Sequence, residues 1–180
     1  GSSENFEAQP RAFIWDAVND MRPIGTLGGM WSFGNGINDS GQIAGYSWTA
    51  DGREHAFLWQ AGMGIVNVAS GVAGETRGEA VNDAGQLVGI HWGTSTVPGG
   101  LILATATESR YFSVASGTAL RALDINDDGA VVGHIGDPGS SALEAFIWDQ
   151  GAGFLILNDL ISPELGWDLD EATGINDRGQ

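Results

Sequence analysis

Oxygen-bearing turn residues, histidines and tryptophans are the residues in this 180-residue chain whose types and spacing suit chemistry. The best metal candidate is Asp124-x-Asn126-x-Asp128-Gly129. Oxygens at its first, third and fifth positions, followed by Gly, match the first half of a calcium loop. Such a loop works because several oxygens converge on one hard cation. Its twelfth position is Ile135, however, so the bidentate carboxylate is missing. The sister segments carry Gly36, Ala80 or Gly174 in first place, and none of these ligates through a side chain. A side-chain-capped hairpin turn is therefore the expectation. Calcium at Asp124, Asn126 and Asp128 is the alternative, and no other cofactor is expected. His55, His91 and His134 occupy different offsets and no pair has ligand spacing, so no zinc site is expected. The absence of Cys removes thiolate chemistry and Cys-ligated metal.

No nucleophile stands out. There is no G-x-S-x-G elbow, and Gly25-Thr26-Leu27-Gly28-Gly29 lacks the Lys of a phosphate loop. A glycosidase would need two carboxylates set apart from a repeated background. Aromatic residues are the better binding candidates. Trp48 and Trp92 both stand ten residues after a recurring Asn, near a strand end. An indole face beside hydrogen-bonding groups suits sugar rings, with packing between sheets as the plainer role. Trp15, Trp59 and Trp148 recur in phase and are expected in the core, whereas Trp31 and Trp167 stand alone.

What must position these residues is a repeat. The segment Ile37-Asn38-Asp39-Ser40-Gly41-Gln42 returns as Val81-Asn82-Asp83-Ala84-Gly85-Gln86. It returns again as Ile125-Asn126-Asp127-Asp128-Gly129-Ala130 and as Ile175-Asn176-Asp177-Arg178-Gly179-Gln180. The Asn positions are 44, 44 and 50 residues apart. A second motif keeps phase: Ala12-Phe13-Ile14-Trp15, Ala56-Phe57-Leu58-Trp59 and Ala145-Phe146-Ile147-Trp148. The missing copy falls near residue 101, where Gly100-Leu101-Ile102-Leu103 is still apolar.

Asn-Asp-x-Gly is a turn with a mechanism. The Asn and Asp side chains cap their own backbone, and the Gly takes the left-handed position of a type I turn with a bulge. Strands are predicted over 42–48, 86–92 and 130–135, with Gly45, Gly89 and Gly133 marking close backbone approach. Four short strands per unit and no sustained helical period give an all-β chain. That is the size of a propeller blade, so the expected fold is a β-propeller or propeller segment of four repeats of about 44 residues. It forms one domain, 1–180, with units at roughly 11–36, 37–80, 81–124 and 125–174, and 175–180 starting a further copy.

His55-Ala56-Phe57-Leu58-Trp59, taken with Ile37-Asn38-Asp39-Ser40-Gly41-Gln42-Ile43-Ala44-Gly45-Tyr46, resembles the HAF-type repeats of bacterial extracellular repeat proteins. The resemblance spans nearly the whole chain and weakens over 93–110. It implies a secreted or surface-attached propeller, or a periplasmic one, without an established activity or catalytic set. Only one unit keeps the full His-Ala-Phe; Arg11 and Glu144 replace the His elsewhere.

Twenty-three acidic residues against seven Arg and no Lys give a net charge of −16. This surface repels phosphate backbones, so nucleic acid is excluded as a partner. No apolar run is long enough to span a membrane. The leading expectation is a non-catalytic binding or assembly module, with a protein partner or self-assembly through blade edges. A carbohydrate-binding propeller is the second reading. A glycoside hydrolase is the third, and it needs an odd carboxylate cluster in 93–110, which holds only Glu108. Joining the chain head to tail leaves ten residues before Arg11, against twelve between Gln42 and His55. A closed ring of four units and a segment of a longer array are both compatible with that length.

Overall fold

The computed structural model describes residues 1–4, 9–114, 118–136 and 143–180, without the side chain of Glu4. Among the described residues fifteen strands form four antiparallel sheets, each a simple meander. The first sheet holds β1 (Ser2–Glu4), β2 (Pro10–Asp16) and β3 (Asp20–Pro23). The second holds β4 (Gly28–Ile37), β5 (Ile43–Thr49), β6 (Glu54–Gln60) and β7 (Gly64–Asn67). The third holds β8 (Glu75–Val81), β9 (Leu87–Trp92), β10 (Gly100–Ala104) and β11 (Ser109–Ser113). The fourth holds β12 (Ala119–Ile125), β13 (Val131–Gly136), β14 (Leu143–Asp149) and β15 (Gly153–Ile156). Helix among the described residues is confined to two 3-10 turns, Leu157–Leu160 and Pro163–Leu165. The arrangement is propeller-like, and the sheets do not close into a ring. Each four-stranded sheet joins the strand before an Asn-Asp turn to the strand after it, so these sheets cut the repeat at a different phase from the motif.

The turns are built as their residues dictate. Gly41, Gly85, Gly129 and Gly179 have φ between 72° and 82°. Asn38 Oδ1 accepts the Gln42 N–H at 2.9 Å, and Asn82, Asn126 and Asn176 repeat that bond. The Asp does something the sequence does not reveal. Its carboxylate accepts the N–H of the Asp one unit earlier: Asp83 from Asp39, Asp127 from Asp83, and Asp177 from Asp127. In parallel, Asn38, Asn82 and Asn126 each donate the side-chain amide to the carbonyl of the next motif Asn, at 2.8, 2.9 and 3.1 Å. The motif is thus a ladder that stacks successive units.

Side chains from both faces of the Phe-x-Trp strand fill the spaces between sheets. Phe57 packs with Ala12, Ile24 and Ile43 on the side of the first sheet. Ala56 and Leu58 pack with Val81, Leu87 and Ile102 on the side of the third. Phe146 and Trp148 complete the core between the third and fourth sheets. The motif Ala is fully buried, which leaves room only for a small side chain, and its backbone N–H bonds to the next unit. Ala12 donates to Ser32 Oγ at 3.0 Å, Ala56 to Thr76 Oγ1 at 2.8 Å, and Ala145 to the Leu169 carbonyl at 2.8 Å. A Cβ on Gly45, Gly89 or Gly133 would collide with the carbonyl oxygen of Phe33, Arg77 or Arg121. That is the close approach expected of a strand glycine. The first strand of each full sheet carries a bulge at the same place, between Gly34 and Gly36, Gly78 and Ala80, and Ala122 and Asp124.

The degraded motif copy lies where it was expected, with Gly89 paired with Ile102 as Gly45 is with Phe57. One expectation needs correcting. Trp15 is 61% exposed and outside the core; among the described residues no sheet packs on the side its counterparts Trp59 and Trp148 face.

Candidate functional site

The place where neighbouring sheets meet at the end of the second strand is repeated but filled differently. Between the second and third sheets it is closed by an aromatic and charged cluster. Register puts Phe33 opposite Tyr46 on adjacent strands, with Trp31 and Trp48 one alternation further along. Trp31 meets Trp48 edge-on at 5.0 Å, and Phe33 stacks on Tyr46 at 5.0 Å. Arg77 of β8 enters from the next sheet. Its guanidinium lies 4.4 Å from the Tyr46 ring centre and 4.8 Å from that of Trp92. It also forks onto the buried Glu54 carboxylate with bonds of 2.6 and 2.9 Å. That bond, more than the opposing desolvation, raises the Arg77 pKa.

The equivalent place between the third and fourth sheets is open. Trp92 is the counterpart of Trp48, and Arg121 that of Arg77. In β5–β6, Trp48 pairs with Glu54 and Ser47 with His55. In β9–β10, His91 pairs with Gly100, which sets Gly99 against Trp92. Two glycines therefore stand where the filled site has Glu54 and His55. Without a carboxylate to fork onto, Arg121 turns outward and lies 3.7 Å from Glu79 Oε1. Burial pushes the Glu79 carboxyl above its usual range, with Arg121 and Arg77 opposing that shift.

A cleft of about 380 Å³ results, walled by Ile90, Trp92, Gly99, Gly100, Ala119 and Leu120. Trp92, 40% exposed, is one of its walls, and its ring also carries the Arg77 guanidinium 4.8 Å from its centre. Thr118 adds a hydroxyl, and buried His91 stands behind, its Nε2–H donated to the Ala73 carbonyl at 2.9 Å. The loop 93–99 at the rim is fixed by Thr94 Oγ1, which accepts the N–H groups of Thr96 and Val97. Among the described residues no carboxylate lines the cleft. Its chemistry is that of a small apolar slot with an aromatic wall and few polar groups.

Of the two tryptophans singled out by sequence, only Trp92 reaches this cleft. Trp48 is half-buried among Trp31, Phe33 and Tyr46. Arg77, Tyr46 and Glu54 went unrecognised in the sequence. The available signal was that position 33 is Phe in one unit and Arg in the next two, Arg77 and Arg121.

The oxygen-rich third turn is engaged by the backbone. Asp124 Oδ2 accepts the Ile175 N–H at 2.9 Å, Asn126 serves its own turn and the ladder, and Asp128 is exposed. Among the described residues no three or more His, Cys, Asp and Glu side chains cluster as metal ligands. The histidines lie apart. His55 Nδ1 accepts from Asn67 at 2.9 Å, and His134 Nδ1 lies 2.9 Å from Glu171. Glu108 sits in the β10–β11 connection, and Trp167 is exposed near the chain end. No helix among the described residues is long and apolar enough to cross a membrane.

No family model, curated protein or solved structure matches this chain. The resemblance to HAF-type repeats accordingly rests on the two in-phase motifs alone.

Proposed function

We propose that the chain is a non-catalytic binding module of a HAF-type extracellular or cell-surface repeat protein, and that its cleft beside Trp92 holds a neutral sugar ring. The observation that carries this reading is the exposed indole in an apolar slot, at the one such interface where Gly99 and Gly100 replace larger side chains. An indole face matches the apolar face of a pyranose, and the Thr118 hydroxyl supplies a polar contact. The net charge of −16 disfavours anionic ligands and leaves neutral glycans attractive. A lining that holds no carboxylate among the described residues favours binding over glycoside hydrolysis.

The test is tryptophan fluorescence titrated with a panel of neutral oligosaccharides. A saturable change is expected with at least one of them, and it should vanish in Trp92→Ala. Ala119→Trp, which fills the cleft from β12, should abolish the response while leaving the melting temperature nearly unchanged. A flat response across the whole panel would sink the glycan reading.

A further inference from the structure

Trp92 is flanked by a residue that stands outside the cleft. In the second and third sheets a tryptophan lies near the end of the second strand, and the repeat fixes what surrounds it. Trp48 leans on three aromatic rings, with its centre 5.0 Å from that of Trp31, 6.2 Å from Phe33 and 5.9 Å from Tyr46. Forty-four residues on, the same three places around Trp92 hold Glu75, Arg77 and Ile90. An aromatic nest has become one carboxylate, one cation and one aliphatic chain. The ring contact that survives the exchange is the Arg77 guanidinium, 4.8 Å from the centre of the Trp92 ring.

That contact matters because Trp92 is 40% exposed. An indole so placed keeps rotamer freedom unless a neighbour holds it. A ligand that stacks on a loose ring must first order it, at a cost in affinity.

Arg77 can hold the ring because it is itself held. Its guanidinium forks onto Glu54 with bonds of 2.6 and 2.9 Å, and the Glu54 side chain is 5% exposed. The Tyr46 ring lies 4.4 Å from the same guanidinium. A planar cation forked by a buried carboxylate and flanked by a ring keeps one orientation. Glu54 and Tyr46 belong to the second sheet, Arg77 and Trp92 to the third, and the cleft lies between the third and the fourth. The filled interface thus reaches, through Arg77, to a wall of the open one. The fourth sheet repeats the arginine without its clamp. Arg121 has no forked carboxylate among the described residues, and the place of Trp92 is taken there by Gly136.

We propose, resting on the glycan reading of the cleft, that Arg77 is its positioning residue. Clamped by Glu54, it holds the Trp92 indole with one face against the cation and leaves the other face to the sugar ring. The affinity of the cleft is then governed in part by two residues of the neighbouring interface, neither of which meets the ligand.

The test follows the Trp92 indole N–H signal, assigned by Trp92→Ala, in wild type, Glu54→Gln and Glu54→Gln/Arg77→Met. The double variant removes both charges together and so leaves no bare carboxylate buried. Glu54→Gln keeps Arg77 and loosens the fork, a milder change that reads the same effect at smaller amplitude. Without ligand, nitrogen relaxation should show a rigid Trp92 ring in wild type, a looser one in Glu54→Gln and the loosest in the double variant. The Trp148 ring should stay rigid in all three. The second readout is the affinity for the neutral oligosaccharide that gives the largest fluorescence change, which should fall about tenfold in the double variant. A purely stabilising role for Arg77 would lower the melting temperature and leave Trp92 as rigid as Trp148, and that result would overturn the proposal. So would a loosened ring with unchanged affinity. A flat oligosaccharide panel in wild type would sink the glycan reading instead, and the relaxation data would still decide whether Arg77 holds Trp92.

Discussion

The interface between the second and third sheets and the one between the third and fourth share a backbone and differ in what fills them. In the first, Arg77 lies against Tyr46 and Trp92 and forks onto Glu54. In the second, the corresponding arginine, Arg121, has no such carboxylate, because Gly99 and Gly100 occupy the places of Glu54 and His55. A repeat protein can thus open a binding slot by degrading one copy of its motif, with the stacking ladder untouched. The weakest-matching stretch of the sequence is where the candidate site lies.

The largest effects should fall equally on the two interfaces, since they concern the shared backbone. Gly45→Ala and Gly89→Ala each drive a Cβ into a carbonyl oxygen of the paired strand, and each should cost roughly 3 kcal/mol or more. Chemical denaturation measures both. A mild cost at Gly89 alone would mean that the two interfaces differ in backbone as well as in side chains.

The next effect should separate them. Arg77→Ala strands the buried Glu54 carboxylate and should cost about 2–3 kcal/mol, less than for a fully buried pair because Arg77 is partly in water. Arg121→Ala removes a longer contact, at 3.7 Å, between a half-exposed guanidinium and the largely buried Glu79, which Arg77 also faces, and should cost less, about 1 kcal/mol or under. Equal costs would break the comparison.

The smallest effect is a pH dependence confined to the filled side. His55 is buried, and its desolvation lowers its pKa in the folded state. Its Nδ1 accepts from Asn67, and no partner for its Nε2 is found among the described residues. The neutral ring is therefore the form the fold favours. Stability should be full above the unfolded His pKa of about 6.5 and fall as pH drops from there through the lowered folded value. His55→Gln should flatten that part of the profile. An unchanged profile would place the sensitivity in other groups.

Much of this architecture is legible in the sequence because turn chemistry is local. Asn-Asp-x-Gly specifies its hairpin through Asn38 Oδ1 and a left-handed Gly41, whatever surrounds it. The strands that follow are equally local and lie where the apolar runs predict. What escaped the sequence depends on contacts between units. Asp39 and its counterparts read as caps of their own turns, yet each later Asp binds the turn one unit earlier. Trp15 matches Trp148 residue for residue, and only the presence or absence of a covering sheet distinguishes them. Trp92 was legible as half of a matched pair of tryptophans. That it opens onto a cleft while Trp48 is packed away depends on the register of β10, which places Gly99 opposite it.

The most direct test of the account is an NMR titration of the seven indole N–H signals, assigned by single substitutions, with the best neutral oligosaccharide from the panel. The account predicts that the Trp92 signal shifts saturably and far more than that of Trp48. Shifts centred on Trp48, or none at any of the seven, would contradict it.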